Sequence, residues 1–140
     1  MTFQFKKPEK SPGLLLWQIT NHWQRLQRAA LSELGITHPQ FVVLAALLWL
    51  TDQDEEVSQK MISDLTNMDK MSTSDLIVNL LKKKMIKKIK SKTDGRAFSL
   101  SLTSIGKKIT LKAIPIVEHV DQRFFKEKTA ALKQWIKNHA

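Results

Sequence analysis

The chain has 140 residues, with 23 Lys and Arg against 13 Asp and Glu, a net charge of +10 and no cysteine. That length fits one domain or one domain with a dimerisation extension, and 42% hydrophobic residues can build a core, while 4 Gly and 4 Pro exclude a collagen repeat and a turn-rich all-β fold. The absence of thiols excludes disulfides, thiol catalysis, Cys-based zinc fingers and cysteine redox sensing, and the excess of base points to a polyanion, nucleic acid before an anionic membrane surface.

Residues 1–10 read as a loose arm. Ser11-Pro12 is an N-cap followed by proline at the first helical position, and Leu16, Ile19, Trp23, Leu26, Ala30 and Leu34 recur at helical spacing until Gly35 ends the helix. Thr37-His38-Pro39-Gln40 carries a capping box and opens a second helix. From Phe41 to Leu50 that helix is apolar almost all round, which predicts the central buried element. Those ten residues are too few to span a bilayer, and no cleavage site follows the lysines of the arm, so a cytoplasmic location is expected. Asp52 to Glu56 reads as an acidic connection.

Ser58 caps a short helix to about Leu65 with Met61, Ile62 and Leu65 on one face. After a turn at Thr66 to Lys70, a third amphipathic helix runs from about Met71 to Lys83 with Leu76, Ile77, Leu80 and Leu81 inward. The period then changes. Met85 to Lys90 is β-compatible, Asp94-Gly95 is a hairpin signal, and Phe98, Leu100 and Leu102 alternate with Ala97, Ser99 and Ser101 as in a half-buried strand. Thr103 caps a long helix bearing Ile105, Ile109, Ala113, Ile116, Val120 and Phe124, in which Pro115 predicts a kink or an end. A last helix, around Lys128 to His139, carries Leu132, Trp135 and Ile136.

The charge follows this layout. Residues 1–56 carry five basic and six acidic groups, residues 57–102 ten and four, and residues 103–140 eight and three. Seven lysines (82, 83, 84, 87, 88, 90 and 92) fall within eleven residues. Alone, such a run is as well explained by a solvated face. On a helix-turn-helix that leads into a basic hairpin, it is placed for phosphates. The fold expected is mainly α (α+β): a winged helix-turn-helix at residues 37–102, an arm and dimerisation helix at 1–36, and C-terminal dimerisation helices at 103–140.

Four motifs together resemble the MarR family of bacterial transcriptional regulators over nearly the whole chain. They are Ile36-Thr37-His38-Pro39-Gln40-Phe41 at the entry to the second helix, Val57-Ser58 with Ile62 and Leu65, Leu76-Ile77-x-x-Leu80 before Met85-Ile86, and Leu100-Ser101-Leu102-Thr103-x-x-Gly106 at the exit from the wing. The resemblance implies a homodimer, built from the first, fifth and sixth helices, on a near-palindromic operator of double-stranded DNA. In many members it also implies a small anionic or phenolic effector held between the lobes. The chain departs from the family at Ser91 to Arg96, which keeps only Asp94 and Arg96 of the usual wing motif. It has Asp75 where the recognition helix often has Arg, and Lys84 where the family has a glycine, which predicts a positive φ there.

The residues expected to meet DNA are Lys70, Ser72, Ser74, Asp75, Asn79 and Lys82 on the recognition helix and its turn, and Lys92, Asp94 and Arg96 on the wing. Ser and Asn suit base edges or phosphate oxygens, and Asp75 suits a cytosine amino group. Arg96 suits a narrow minor groove, and Thr73 is expected to pack inward. Leu16, Ile19, Ile116, Val120, Phe124, Leu132, Trp135 and Ile136 are expected at a dimer interface, since one small winged domain cannot cover them. Trp17, His22 and Trp49 could line an effector pocket, although an aromatic stripe is more often core. His22, His38, His119 and His139 contain no i, i+4 pair, so no metal or other cofactor is expected, and no catalytic motif points to an enzyme. An adaptor binding a protein or RNA, and a nonspecific architectural DNA-binding protein, are the alternatives to a repressor.

Overall fold

In the computed structural model, residues 2–53, 56–92, 95 and 97–139 are described. Asp94 and Arg96 lie outside them. Six helices and one two-stranded sheet follow the order α1 (Pro12–Leu31), α2 (His38–Gln53), α3 (Gln59–Thr66), α4 (Lys70–Lys82), β1 (Ile86–Lys90), β2 (Phe98–Leu102), α5 (Ser104–Phe125) and α6 (Thr129–His139).

Local chemistry sets most of the boundaries. The Ser11 hydroxyl accepts the Leu14 N–H at 3.2 Å. Beyond α1 a 3₁₀ turn, Ser32–Leu34, ends on Gly35 at φ 69, a left-handed cap that suits glycine. The predicted capping box closes α2: the Gln40 N–H donates to Thr37 Oγ1 at 3.2 Å and the Thr37 N–H to Gln40 Oε1 at 3.0 Å. Ser58 and Asp69 cap α3 and α4 through the N–H groups of Met61 and Ser72. At the end of α4 the Met85 N–H returns to the Leu80 carbonyl and the Lys84 N–H to the Leu81 carbonyl, each at 3.0 Å. This is a Schellman motif, and it holds Lys84 at φ 60.

The core is built around α2. Leu44 and Leu47 are completely buried and pack with Leu31 of α1, Ile62 of α3, Ile77 and Leu80 of α4, and Ala113 and Val117 of α5. Thr73 is also fully buried, as expected. The strands pair antiparallel, from Ile86 opposite Leu102 to Lys90 opposite Phe98. Val57 adds a bridge to Leu100, whose N–H reaches the Val57 carbonyl at 2.8 Å.

The α5 entry is the tightest approach in the fold. Thr103 Oγ1 accepts the Gly106 N–H at 3.0 Å and donates to the Lys84 carbonyl at 2.7 Å. A Cβ on Gly106 would stand 1.8 Å from the Met85 carbonyl oxygen, so only glycine lets α5 dock on the α4–β1 junction.

Two expectations need correction. Pro115 does not end a helix, because α5 runs from Ser104 to Phe125 without a break. Pro115 is exposed while Ala113 and Val117 beside it are buried, so packing holds the helix and the lost hydrogen bond falls on the wet side. Phe98 does not face the core. It is 60% exposed because this end of the hairpin projects past the packed elements, and Lys88 Nζ sits 5.8 Å from its ring centroid. On α1 the buried residues are Gln27 and Leu31, whereas Leu26 is exposed together with Leu16 and Ile19, the two expected at a dimer interface.

Candidate nucleic-acid interface

The α3–turn–α4 unit is pinned from within its own turn. The Ser63 hydroxyl donates to the Met68 carbonyl at 2.7 Å, and Asn67 at φ 57 reverses the chain. The Asp69 carboxylate accepts both the backbone N–H and the hydroxyl of Ser72, at 2.7 and 2.8 Å. The first of these, then the second, holds its pKa below the usual aspartate value. Lys70 follows in the first turn of α4, where no acidic residue lies. A cation there opposes the helix dipole, which the Asp69 carboxylate at the N-cap answers.

The expected contact residues separate on the structure. Ser72, Asp75 and Lys82 are exposed on α4, and Ser74 is half-buried. Asn79 is also exposed but lies round the flank, where with Leu76 it lines a cavity against α1 and α2. In the lysine run, Lys83 is structural: its ammonium donates to the Gly35 carbonyl at 2.7 Å and reaches Gln40 Oε1 at 3.3 Å. Lys87, Lys88 and Lys90 are exposed along β1.

Two features lie beyond the sequence pattern. The first is Glu56, which sequence places only in an acidic connection. Its carboxylate accepts the Ser91 hydroxyl at 2.8 Å and the Lys92 N–H at 2.7 Å. Together with the Val57 bridge, it ties the outer part of the hairpin to the chain before α3. The second is apolar. Met71 and Val78 are exposed on α4, 75% and 44% respectively, in line with Asp75 and Lys82. Their i, i+4, i+7, i+11 spacing was the available signal.

The cavity beside Asn79 measures about 510 Å³ and is also lined by Asn21, Gln24, Arg28 and Thr37 to Gln40. His38 Nδ1 donates to Gln24 Oε1 at 3.0 Å, and its ring packs edge-on to Trp23 at 4.9 Å. Burial lowers the His38 pKa below its ordinary value, partly offset by the charge of Asp121. Asp121 Oδ1 in turn accepts Trp23 Nε1–H and Gln27 Nε2–H, each at 2.8 Å, which fastens α1 to α5. The suggested pocket residues are not gathered here. Trp17 and Trp49 are 68% and 57% exposed, and His22 sits against Phe124.

The sequence matches the family described as transcriptional regulator SarA/Rot over residues 25–113. The chain belongs to the SarA/Rot family of transcriptional regulators. Its match spans the helix-turn-helix, the hairpin and the start of α5. The chain is also 40% identical over 131 residues to the uncharacterized HTH-type transcriptional regulator YdcH of Bacillus subtilis, covering 94% of this chain and 87% of that protein. Its fold is that of MarR regulators. It aligns with a cysteine-to-serine mutant of Escherichia coli MarR complexed with operator DNA at a TM-score of 0.80, with 22% identity and 98% of each chain covered. It aligns with PcaV of Streptomyces coelicolor in complex with its natural ligand at 0.79, with 20% identity, covering 94% of this chain and 93% of PcaV. This SarA/Rot member is therefore a DNA-binding transcriptional regulator with a winged helix, and not an enzyme.

Proposed function

We propose that the chain acts in the cytoplasm as a homodimeric repressor on a near-palindromic operator. Residues 37–102 form the reading head, and residues 1–36 and 103–140 form the dimer. The observation that carries this reading is the exposed face of α4 beside a hairpin that is both lysine-rich and braced by Glu56. α4 enters the major groove with Ser72, Ser74 and Asp75 toward base edges. Lys70, Lys82 and Lys92 meet phosphates, Asp94 and Arg96, outside the described residues, are the wing contacts to the backbone or minor groove, and Asn79 reaches DNA from the flank of α4. The cytoplasmic location is supported by the regulator family, and no single described helix is long and apolar enough to cross a membrane.

Dimerisation is supported by what α6 and the start of α1 leave uncovered. α6 has no buried residue, and Leu132, Trp135 and Ile136 are exposed together with Leu16 and Ile19. Ile116, Val120 and Phe124 are half-buried on α5, where a partner would complete their cover. The deciding experiment is a gel shift with the DNA upstream of its own gene across a salt series, with light scattering alongside. A discrete site, a steep loss of affinity with salt and twice the 16.1 kDa chain mass are expected. Equal binding to every duplex favours an architectural role, no duplex binding favours an adaptor, and a 16.1 kDa species at micromolar concentration refutes the dimer.

A response to a small effector has its own observation. The cavity of about 510 Å³ combines Arg28, His38 and amide side chains, which suits a small anionic or phenolic ligand. Because Trp23 packs on His38, titration with aromatic carboxylates should change tryptophan fluorescence, and no change at millimolar ligand would dismiss this site.

A further inference from the structure

The outward face of α4 has a composition that a phosphate-binding surface does not require. Met71, Asp75, Val78 and Lys82 share one exposed stripe, and Lys70 stands at the helix start. The pattern is therefore cationic at both ends and apolar–acidic–apolar between them. Asp75 is not engaged by a neighbour: among the described residues it makes no hydrogen bond and no ion pair, unlike Asp69, which caps the helix, and Asp64, which pairs with Lys60. An acid between two exposed apolar side chains gains nothing from phosphates. Against the floor of a major groove, each of the three has a partner: a cytosine amino group donates to a carboxylate, and the thymine 5-methyl group offers apolar surface.

We propose that α4 reads a C·G pair through Asp75, flanked by thymine methyl groups against Met71 and Val78. The proposal rests on the reading that α4 lies in the major groove, and it names the bases recognised there. Met71 and Val78 are seven residues apart, about 10 Å along the helix, which corresponds to roughly three base-pair steps. The half-site then contains two A·T pairs about that far apart with the C·G pair between them. Lys70 and Lys82 reach the phosphate walls on either side. The carboxylate also serves rejection, because a guanine in place of the cytosine would set acceptor oxygen and nitrogen against it.

The test is selection of duplexes from a randomised pool by the full-length chain, followed by binding to the selected site with each thymine replaced by deoxyuridine. Selection of two thymines about three steps apart with the cytosine between them is expected, with each lost methyl weakening binding about three- to tenfold. Val78→Ala should abolish the penalty at one of the two thymines. Asp75→Asn should move the selected cytosine toward adenine, the base an amide pairs with. All three side chains are exposed, so the variants should melt as the parent does. A selected site without this arrangement, or an Asp75→Asn profile equal to the parent's, overturns the proposal while leaving the regulator intact. A chain that binds every duplex alike overturns the sequence-specific reading beneath it as well.

Discussion

The reading head and the two ends of the chain bury opposite things. In residues 37–102 the apolar side chains of α2, α3 and α4 close on one another, and charge lies outside. The start of α1 and all of α6 do the reverse, presenting Leu16, Trp17, Ile19, Trp135 and Ile136 to solvent. A head of this kind is complete in one chain. Helices with such faces are finished only by association, because contiguous apolar patches are seldom left in water. The difference teaches that the buried core, which also takes in Leu31 of α1 and Ala113 and Val117 of α5, is separate from the apolar faces that the start of α1 and α6 leave open.

The strongest way to break the comparison is at α6. Replacing Trp135 and Ile136 by Asp should leave helix content and the head's melting unchanged, since neither side chain is buried. Light scattering should show the single-chain mass. Affinity for a two-half-site operator should fall about a thousandfold as the second contact ceases to be intramolecular. An unchanged mass would place the dimer seam elsewhere. The next effect lies at the joint between the regions. Gly106→Ala drives a methyl into the Met85 carbonyl, and denaturant unfolding should record a loss of about 3 kcal/mol. A loss below about 1 kcal/mol would mean that α5 can shift away from the head at small cost.

Legibility in the sequence followed the distance between partners. The Thr37–Gln40 box, the caps at Ser58 and Thr103, and the Gly35 end all concern groups within a few positions of one another, so composition and spacing declare them. Lys84 at positive φ was readable only through the resemblance, which has a glycine at that position. Glu56 was not, because its partners Ser91 and Lys92 lie 35 and 36 positions away and only the hairpin's return brings them together. The Trp23–Gln27–Asp121 network spans more than 90 positions and is invisible for the same reason. Phe98 defeats the pattern differently, because alternation shows which face a residue occupies, not whether anything lies beneath that face.

Within the head, Glu56 separates folding from reading. Glu56→Ala removes the acceptor for Ser91 and Lys92 without deleting a side chain of the buried core. Operator affinity should drop about tenfold with little change in melting, and Glu56→Gln, which keeps an acceptor oxygen, should recover part of it. A core-sized loss of stability would instead make Glu56 part of the folding unit. Smaller again is a pH effect at the seam between α1 and the head. The folded-state pKa of His38 lies below its unfolded value near 6.5, so the unfolded chain takes the proton more readily. The contribution is therefore complete above that pH and is lost as pH falls below it. Asp121 works against the shift, and burial outweighs it. Denaturation midpoints measured from pH 7.5 to 5.5 should decline, and less steeply in His38→Asn. Equal slopes would remove His38 from the account.

The smallest effect sharpens the comparison by acting inside the lysine run. Lys84 is held at φ 60 by the Schellman bonds of Met85 and Lys84 itself, a conformation costing a side-chain-bearing residue about 1–2 kcal/mol. Glycine removes that strain but adds about 0.5–1 kcal/mol of unfolded-state entropy. Lys84→Gly should therefore stabilise the chain by about 0.5 kcal/mol, read as a rise in denaturation midpoint. Its influence on DNA decides what this lysine is for. Lys84 lies at the α4–β1 junction where α5 docks, its carbonyl bound by the Thr103 hydroxyl. If the phosphate contacts belong to Lys70, Lys82 and Lys92, the salt dependence of operator binding should stay the same in Lys84→Gly. A slope lower by about one unit would place Lys84 on a phosphate, and the basic face of the head would then extend to its junction with the dimer helices.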